Sequence, residues 1–186
     1  MENKASAFLK SALNGGLIFG VVLIIIQLAF WMFNIIPVGI GKSMLILAFN
    51  LAVYIVGVWW FTKSYRDGVL NGFINYGHAY LYGFAVIIFS TILVVIYTYI
   101  FNAFIDPEYT SRMLKTTANW TEEYMRSHQV PEEQISATID KIMVKGHKTA
   151  IQTATGGLIA GVIMGAIVSL ISSAFAKKVQ DPFKES

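Results

Sequence analysis

Cysteine is absent from the 186 residues, and only 13% of them are Asp, Glu, Lys or Arg. The first absence excludes disulfides, thiolate zinc sites, iron–sulfur clusters and covalently attached haem, and it leaves the redox compartment unread. The second leaves about half the charge of an ordinary soluble domain. The deficit is concentrated in four windows, 11–41, 43–62, 68–105 and 149–176, which hold no charged residue at all. Crossing a hydrocarbon core about 30 Å thick takes roughly 20 apolar residues as helix. Each window is long enough. The chain therefore reads as one all-α integral membrane domain over 1–186. Four transmembrane helices are expected near 13–34, 43–62, 78–104 and 150–176, with an extramembrane helical hairpin at 105–148.

Ionisable groups at membrane depth are missing as well, although such groups mark proton relays and ion pathways. His78 falls at an interface, and no aspartate pair or Ser–His pairing lies inside a span. His128 and His147 lack metal-ligand spacing. No catalytic residue, cofactor or metal is expected, and the chain reads as non-enzymatic. PVGIGKSM at 37–44 ends like a phosphate-binding loop, but Ile36 stands where that loop needs glycine and no strand precedes it. No nucleotide is expected, and Ser43 reads as the cap of the second helix. The bases are scattered at helix ends instead of gathered on one aromatic face, which excludes a nucleic-acid partner.

Short segments dominate the positive-inside rule. Lys4, Lys10, Lys63, Arg66, Lys177, Lys178 and Lys184 lie in short segments, beside Glu2, Asp67, Asp181 and Glu185. The opposing bases lie mostly in the long third loop. Both termini are thus expected in the cytoplasm and loop 105–148 outside. The apolar run after Lys10 ends in AFWMFN, without small residues for cleavage, and reads as an uncleaved anchor.

The third loop carries two helix starts. In IDPEY, Asp106 is expected to cap a helix that has Pro107 in its first turn; in VPEEQ, Pro131 is followed by Glu132 and Glu133. Tyr109, Met113, Trp120 and Tyr124 fall near one face of the first helix. Ile135 and Ile139, with Ile142 and Met143, stripe the second. These stripes can meet each other, the lipid surface or a partner. The stretch YRDGVLNGFINYGHAY, 65–80, reads as a cytoplasmic turn with a short interfacial helix around 69–74. A site in which Arg66 meets a lipid phosphate is the alternative there.

Small residues recur every four positions in the last span: Thr153, Gly157, Gly161, Gly165, Ser169 and Ser173, echoed by Gly16 and Gly20 in the first. Such rows let backbones approach closely. The fourth span is expected to pack on the first, or on its copy in a homo-oligomer. Gln27 and Asn50, each seven residues from the outer end of its span, are expected to hydrogen-bond across the first hairpin. A polar pore lining is the alternative.

YRDGVLNGFINYGHAYLYG before a long span, then FNAFIDPEY, then VPEEQI before a small-residue last helix, resembles the domain of unknown function 4199 family. The resemblance covers nearly the whole chain. It implies four helices, a bacterial inner-membrane location and a soluble excursion before the last span, and it carries no activity and no site residue. His78 departs from the Gln or Glu expected there, which weakens a relay further. The leading functional expectation is a scaffold or interaction subunit whose external hairpin binds an envelope protein partner. The alternative is a small oligomeric channel or transporter component. The lipid bilayer is the one partner common to both.

Overall fold

The computed structural model describes residues 4–146 and 148–179; Glu2, His147, Asp181, Lys184 and Glu185 lie outside the described residues. Six helices follow in order: α1 Lys4–Met32, α2 Ile40–Val69, α3 Tyr76–Ile100, α4 Tyr109–Ser127, α5 Glu132–Gly146 and α6 Ala150–Ala176. Four of them, α1, α2, α3 and α6, are long and apolar enough to cross a membrane. At about 1.5 Å per residue each exceeds the hydrocarbon thickness. The protein is an all-α, multi-pass membrane protein.

Local chemistry sets the helix boundaries, and it differs from the sequence reading in three places. The α2 helix starts at Ile40 behind Gly39, whose φ of +83° suits glycine. Ser43 therefore sits inside the helix, donating from Oγ to Pro37 O at 3.0 Å, and is not its cap. At its other end α2 runs on to Val69, so Tyr65, Arg66 and Asp67 belong to its last turns and no separate interfacial helix forms over 69–74. The chain turns at Asn71 and Gly72, both at positive φ, and Ile74 pairs in an isolated antiparallel bridge with Lys178. Arg66 does not point away to lipid. Its Nη1 donates to Ala176 O at 2.9 Å, where α6 ends with unsatisfied carbonyls, and its Nε pairs with Asp67 at 2.7 Å. These contacts put the α2–α3 turn beside the end of α6. We call this the terminal end of the bundle and the other the hairpin end.

The third difference concerns Asp106. The α3 helix passes into a π-helical turn, Phe101–Ile105, closed by Asp106 N donating to Phe101 O at 2.9 Å. The α4 helix begins later, at Tyr109, with Glu108 and not Asp106 at its cap position. The Asp106 carboxylate is engaged instead by Arg112 and Trp31. These side-chain bonds are the stronger ones on the carboxylate, beside a weaker backbone contact from Glu108. The α6 start carries a capping box that the sequence reading passed over. Thr149 Oγ1 accepts from Gln152 N at 3.3 Å, and Gln152 Oε1 accepts from Thr149 N at 3.1 Å.

The α3 helix is the axis of the bundle, and both small-residue rows grip it from different sides. A Cβ on Gly16 would stand 2.8 Å from Val86 O, and one on Gly20 3.2 Å from Ser90 O. From α6, a Cβ on Gly161 would stand 2.4 Å from Thr91 Cγ2, and one on Gly165 2.9 Å from Ile87 Cγ2. The expected α6–α1 seam is thus an α6–α3 seam. A spacing of four shows that a face admits a close neighbour, but not which neighbour. Ser169 is fully buried next to Gly83 of α3, and Ser173 is buried with its Oγ returned to Leu170 O in its own helix. Ser172 ties α6 to α2, donating to Ile55 O at 3.1 Å.

The grip loosens toward the hairpin end. A Cβ on Gly157 would find only Val95 Cγ2, at 3.9 Å, and Thr153 borders a cavity.

Candidate functional site: a chamber beneath the hairpin

A half-open cavity of about 620 Å³ lies between the hairpin-end halves of α1, α2 and α3 and the underside of α4. This is the size range of small-molecule sites. Its walls are mostly apolar: Leu23, Ile26 and Phe30 from α1, Ile46 and Tyr54 from α2, Tyr97 from α3 and Phe101 from the π turn. Tyr109, Met113 and Leu114 of α4 form the roof. Three fasteners hold that roof down. At the first, Trp31 Nε1 donates to Asp106 Oδ2 at 3.0 Å while Arg112 clasps the same carboxylate. At the second, Thr110 Oγ1 donates to Asn102 Oδ1 at 2.8 Å, and Asn102 Nδ2 donates to Thr98 O at 2.8 Å. At the third, the Trp120 ring lies over Gly39, where a Cβ would stand 3.3 Å from Nε1. Edge-to-face contacts of Phe101 with Trp31, at 5.7 Å, and with Tyr109, at 5.5 Å, fill the corner between them.

The Asp106 carboxyl is held below the ordinary carboxylate range, first by the Arg112 hydrogen bond and then by that from Trp31; partial burial opposes both. It stays ionised at neutral pH, so the first fastener is a standing contact.

Gln27 and Asn50 both face the chamber, from α1 and α2. The expected bond between them is not made among the described residues. Asn50 Nδ2 donates instead to Ile46 O of its own helix at 2.8 Å, and Gln27 has no hydrogen-bond partner there. Both amides are left as polar lining of the cavity. Lys148 is the charged group on the wall, and no carboxylate lines it among the described residues.

The stripe expected to face a partner is mostly turned inward. Tyr109 and Met113 line the chamber, Trp120 sits on Gly39, and Ile135 is buried. Ile139 is half-buried. Tyr124 is 40% exposed, stacked between Trp120 and His128. Among the described residues no group of three His, Cys, Asp or Glu is placed to hold a metal. Sequence reasoning found Gln27, Asn50, Tyr109 and Met113 one by one and missed that they share a cavity. It also missed Asn102, Trp31 as a donor, and Lys148. Among these, only the Asn102-to-Thr110 spacing across the π turn left a signal, and it is too loose to read unaided.

An all-helical membrane bundle with a docked extramembrane hairpin is thus the class of protein at hand. Residues 14–178 match the family described as Protein of unknown function (DUF4199), and the chain belongs to that family. No curated protein and no solved structure matches it.

Proposed function

We propose that this is a non-enzymatic membrane protein whose chamber binds an anionic amphiphile, with the hydrocarbon tail among the α1–α3 side chains and the head group toward Lys148. The carrying observation is the lining itself: an apolar cavity inside the bundle, with amides at depth, one lysine and no carboxylate among its described residues. A cavity with such walls beside a bilayer favours a hydrocarbon chain over water. The location proposed with it is a bacterial inner membrane, with both termini cytoplasmic and the hairpin periplasmic. The density of bases in the short terminal-end segments supports that orientation.

Trp31 borders the chamber, so a bound brominated fatty acid quenches it. In the Trp59→Phe, Trp60→Phe protein, which keeps Trp31 and Trp120 at the hairpin end, brominated stearate is expected to quench saturably, and Asn50→Phe, which fills the cavity, to abolish the saturable part. Quenching that rises linearly with probe and ignores Asn50→Phe contradicts the reading.

A second reading keeps the envelope protein partner, on the hairpin's outward face. It is favoured by the exposed rings of Tyr124 and His128, with centroids 4.2 Å apart, which continue outward from the inward-seated Trp120. A photo-crosslinker at position 124 gives one discrete adduct under this reading and none if the face meets only water.

A further inference from the structure

The seam between α1 and α2 holds a second hollow, an open groove of about 600 Å³, at the terminal end. Ser11, Asn14 and Ile18 of α1 line it, with Ser64 and Tyr65 of α2. Its chemistry repeats that of the chamber: an amide, hydroxyls, one lysine (Lys10) and no carboxylate among the described lining. Two polar-flecked, cation-bearing cavities thus stand end to end along one helix seam, in a protein with no charge at the middle of any span.

A single layer of rings separates them. Phe19, 2% exposed and midway along α1, packs edge-on to Tyr54 at 5.6 Å and against Phe61 at 6.0 Å. Tyr54 borders the chamber and Phe61 the second cavity. The Phe19 ring lies directly on Gly57, where a Cβ would stand 2.4 Å from Cε2, so α2 has been kept bare at the one place the ring must fit. Ile18, which borders one, and Leu23, which borders the other, are roughly 7.5 Å apart in rise but about 140° apart around α1, and the Phe19 ring stands between them. Apolar constrictions gate passage.

We infer that the α1–α2 seam is a route by which an anionic amphiphile crosses the membrane, its head group passing between the two cavities and the Phe19 ring acting as the gate. This rests on the chamber reading above. The tail stays among apolar side chains or lipid throughout, while the amides and hydroxyls of Asn50, Gln27, Asn14 and Ser11 supply the hydrogen bonds the head group loses on leaving water. The scarcity of buried charge fits this cargo: a relay would need ionisable groups, whereas a guided amphiphile needs only polar stations.

The test uses the full chain in vesicles of phosphatidylcholine with a trace of fluorescent phosphatidylglycerol, bleached from outside by dithionite. Wild-type protein is expected to expose label from the inner leaflet slowly, and Phe19→Ala several-fold faster. Asn14→Phe added to Phe19→Ala is expected to return the rate toward that of protein-free vesicles. Saturable quenching of Trp31 by brominated stearate is measured on the same preparations. If quenching is intact and Phe19→Ala moves label no faster than protein-free vesicles, the route is refuted and the chamber stands. If saturable quenching is itself absent, both fail. Should Phe19→Ala not fold, the natural absence of cysteine gives an independent arm on otherwise unaltered protein. Asn50→Cys is expected to react with an impermeant maleimide only from the hairpin end, and Asn14→Cys only from the terminal end. Reaction of both from one side would overturn the gate.

Discussion

Trp31 and Asp106 are 75 positions apart in the chain and 3.0 Å apart in space, indole Nε1 to carboxylate. Through that contact the end of the first membrane helix holds the start of the extramembrane hairpin, and Arg112 closes the clasp from α4. The chamber has a roof because this junction holds.

Asp106→Asn keeps the shape of the side chain but removes its charge, so both the Arg112 clasp and the indole bond weaken. Residues 105–148 are then expected to be cleaved by added protease several-fold faster than in wild type. Trp31→Phe keeps the ring on Phe101 and loses only the donor, and it should give a smaller increase. Equal cleavage rates in all three proteins would mean that the junction does not fasten the hairpin.

Acid should open the same junction, within a defined window. The Asp106 carboxyl is lowered in the folded protein, chiefly by Arg112. Its contribution is therefore full above the ordinary carboxylate value of about 3.9 and is lost as pH falls through the lowered folded value. Hydrogen exchange of the hairpin amides, corrected for intrinsic rates, is expected to be flat from neutral down to about pH 5 and to rise only below about pH 4. A rise near neutral pH would instead implicate a histidine.

Two glycines of one row should answer differently to the same change. Gly161→Ala puts a methyl 2.4 Å from Cγ2 of the β-branched Thr91, which has little room to retreat, and is expected to cost about 1–3 kcal/mol. Gly157→Ala meets nothing closer than 3.9 Å and should be neutral or, through helix propensity, stabilising by up to about 1 kcal/mol. Unfolding in detergent micelles measures both. A similar cost at the two positions would argue against the splaying of α6 from α3.

Thr62 and Ser169 flank Gly83 with buried hydroxyls that have no hydrogen-bond partner among the described residues. Thr62→Val and Ser169→Ala remove a desolvated polar group and are expected to be neutral or stabilising by about 1 kcal/mol each. A loss of stability above that size would show that these hydroxyls hold a water molecule or each other.

The spans and the hairpin could be read from sequence because hydrophobic length and helix-start signals are local properties. The 4-residue row in α6 was equally legible as a packing face. Its partner was not, since α1 and α3 both offer small residues and only the tertiary arrangement chooses between them. Asp106 shows the same limit: locally it is a helix cap, and only the approach of Trp31 and Arg112 converts it into a clasp. Counting residues from the span ends assigns Gln27 and Asn50 one depth, and both line the chamber. That count does not reveal that Asn50 bonds within its own helix, so an expected hydrogen bond gives way to a cavity wall. The chamber was therefore invisible as a chamber, although several of its residues had been picked out singly.

The most direct measurement of the central claim is photo-crosslinking with a diazirine-bearing stearate in bilayer nanodiscs, followed by peptide mapping. Adducts are expected on chamber residues such as Asn50 and Met113, suppressed by excess unlabelled stearate and lost in Asn50→Phe. Adducts confined to lipid-facing positions such as Leu45, Leu47 and Ile163, unaffected by competitor, would contradict the account.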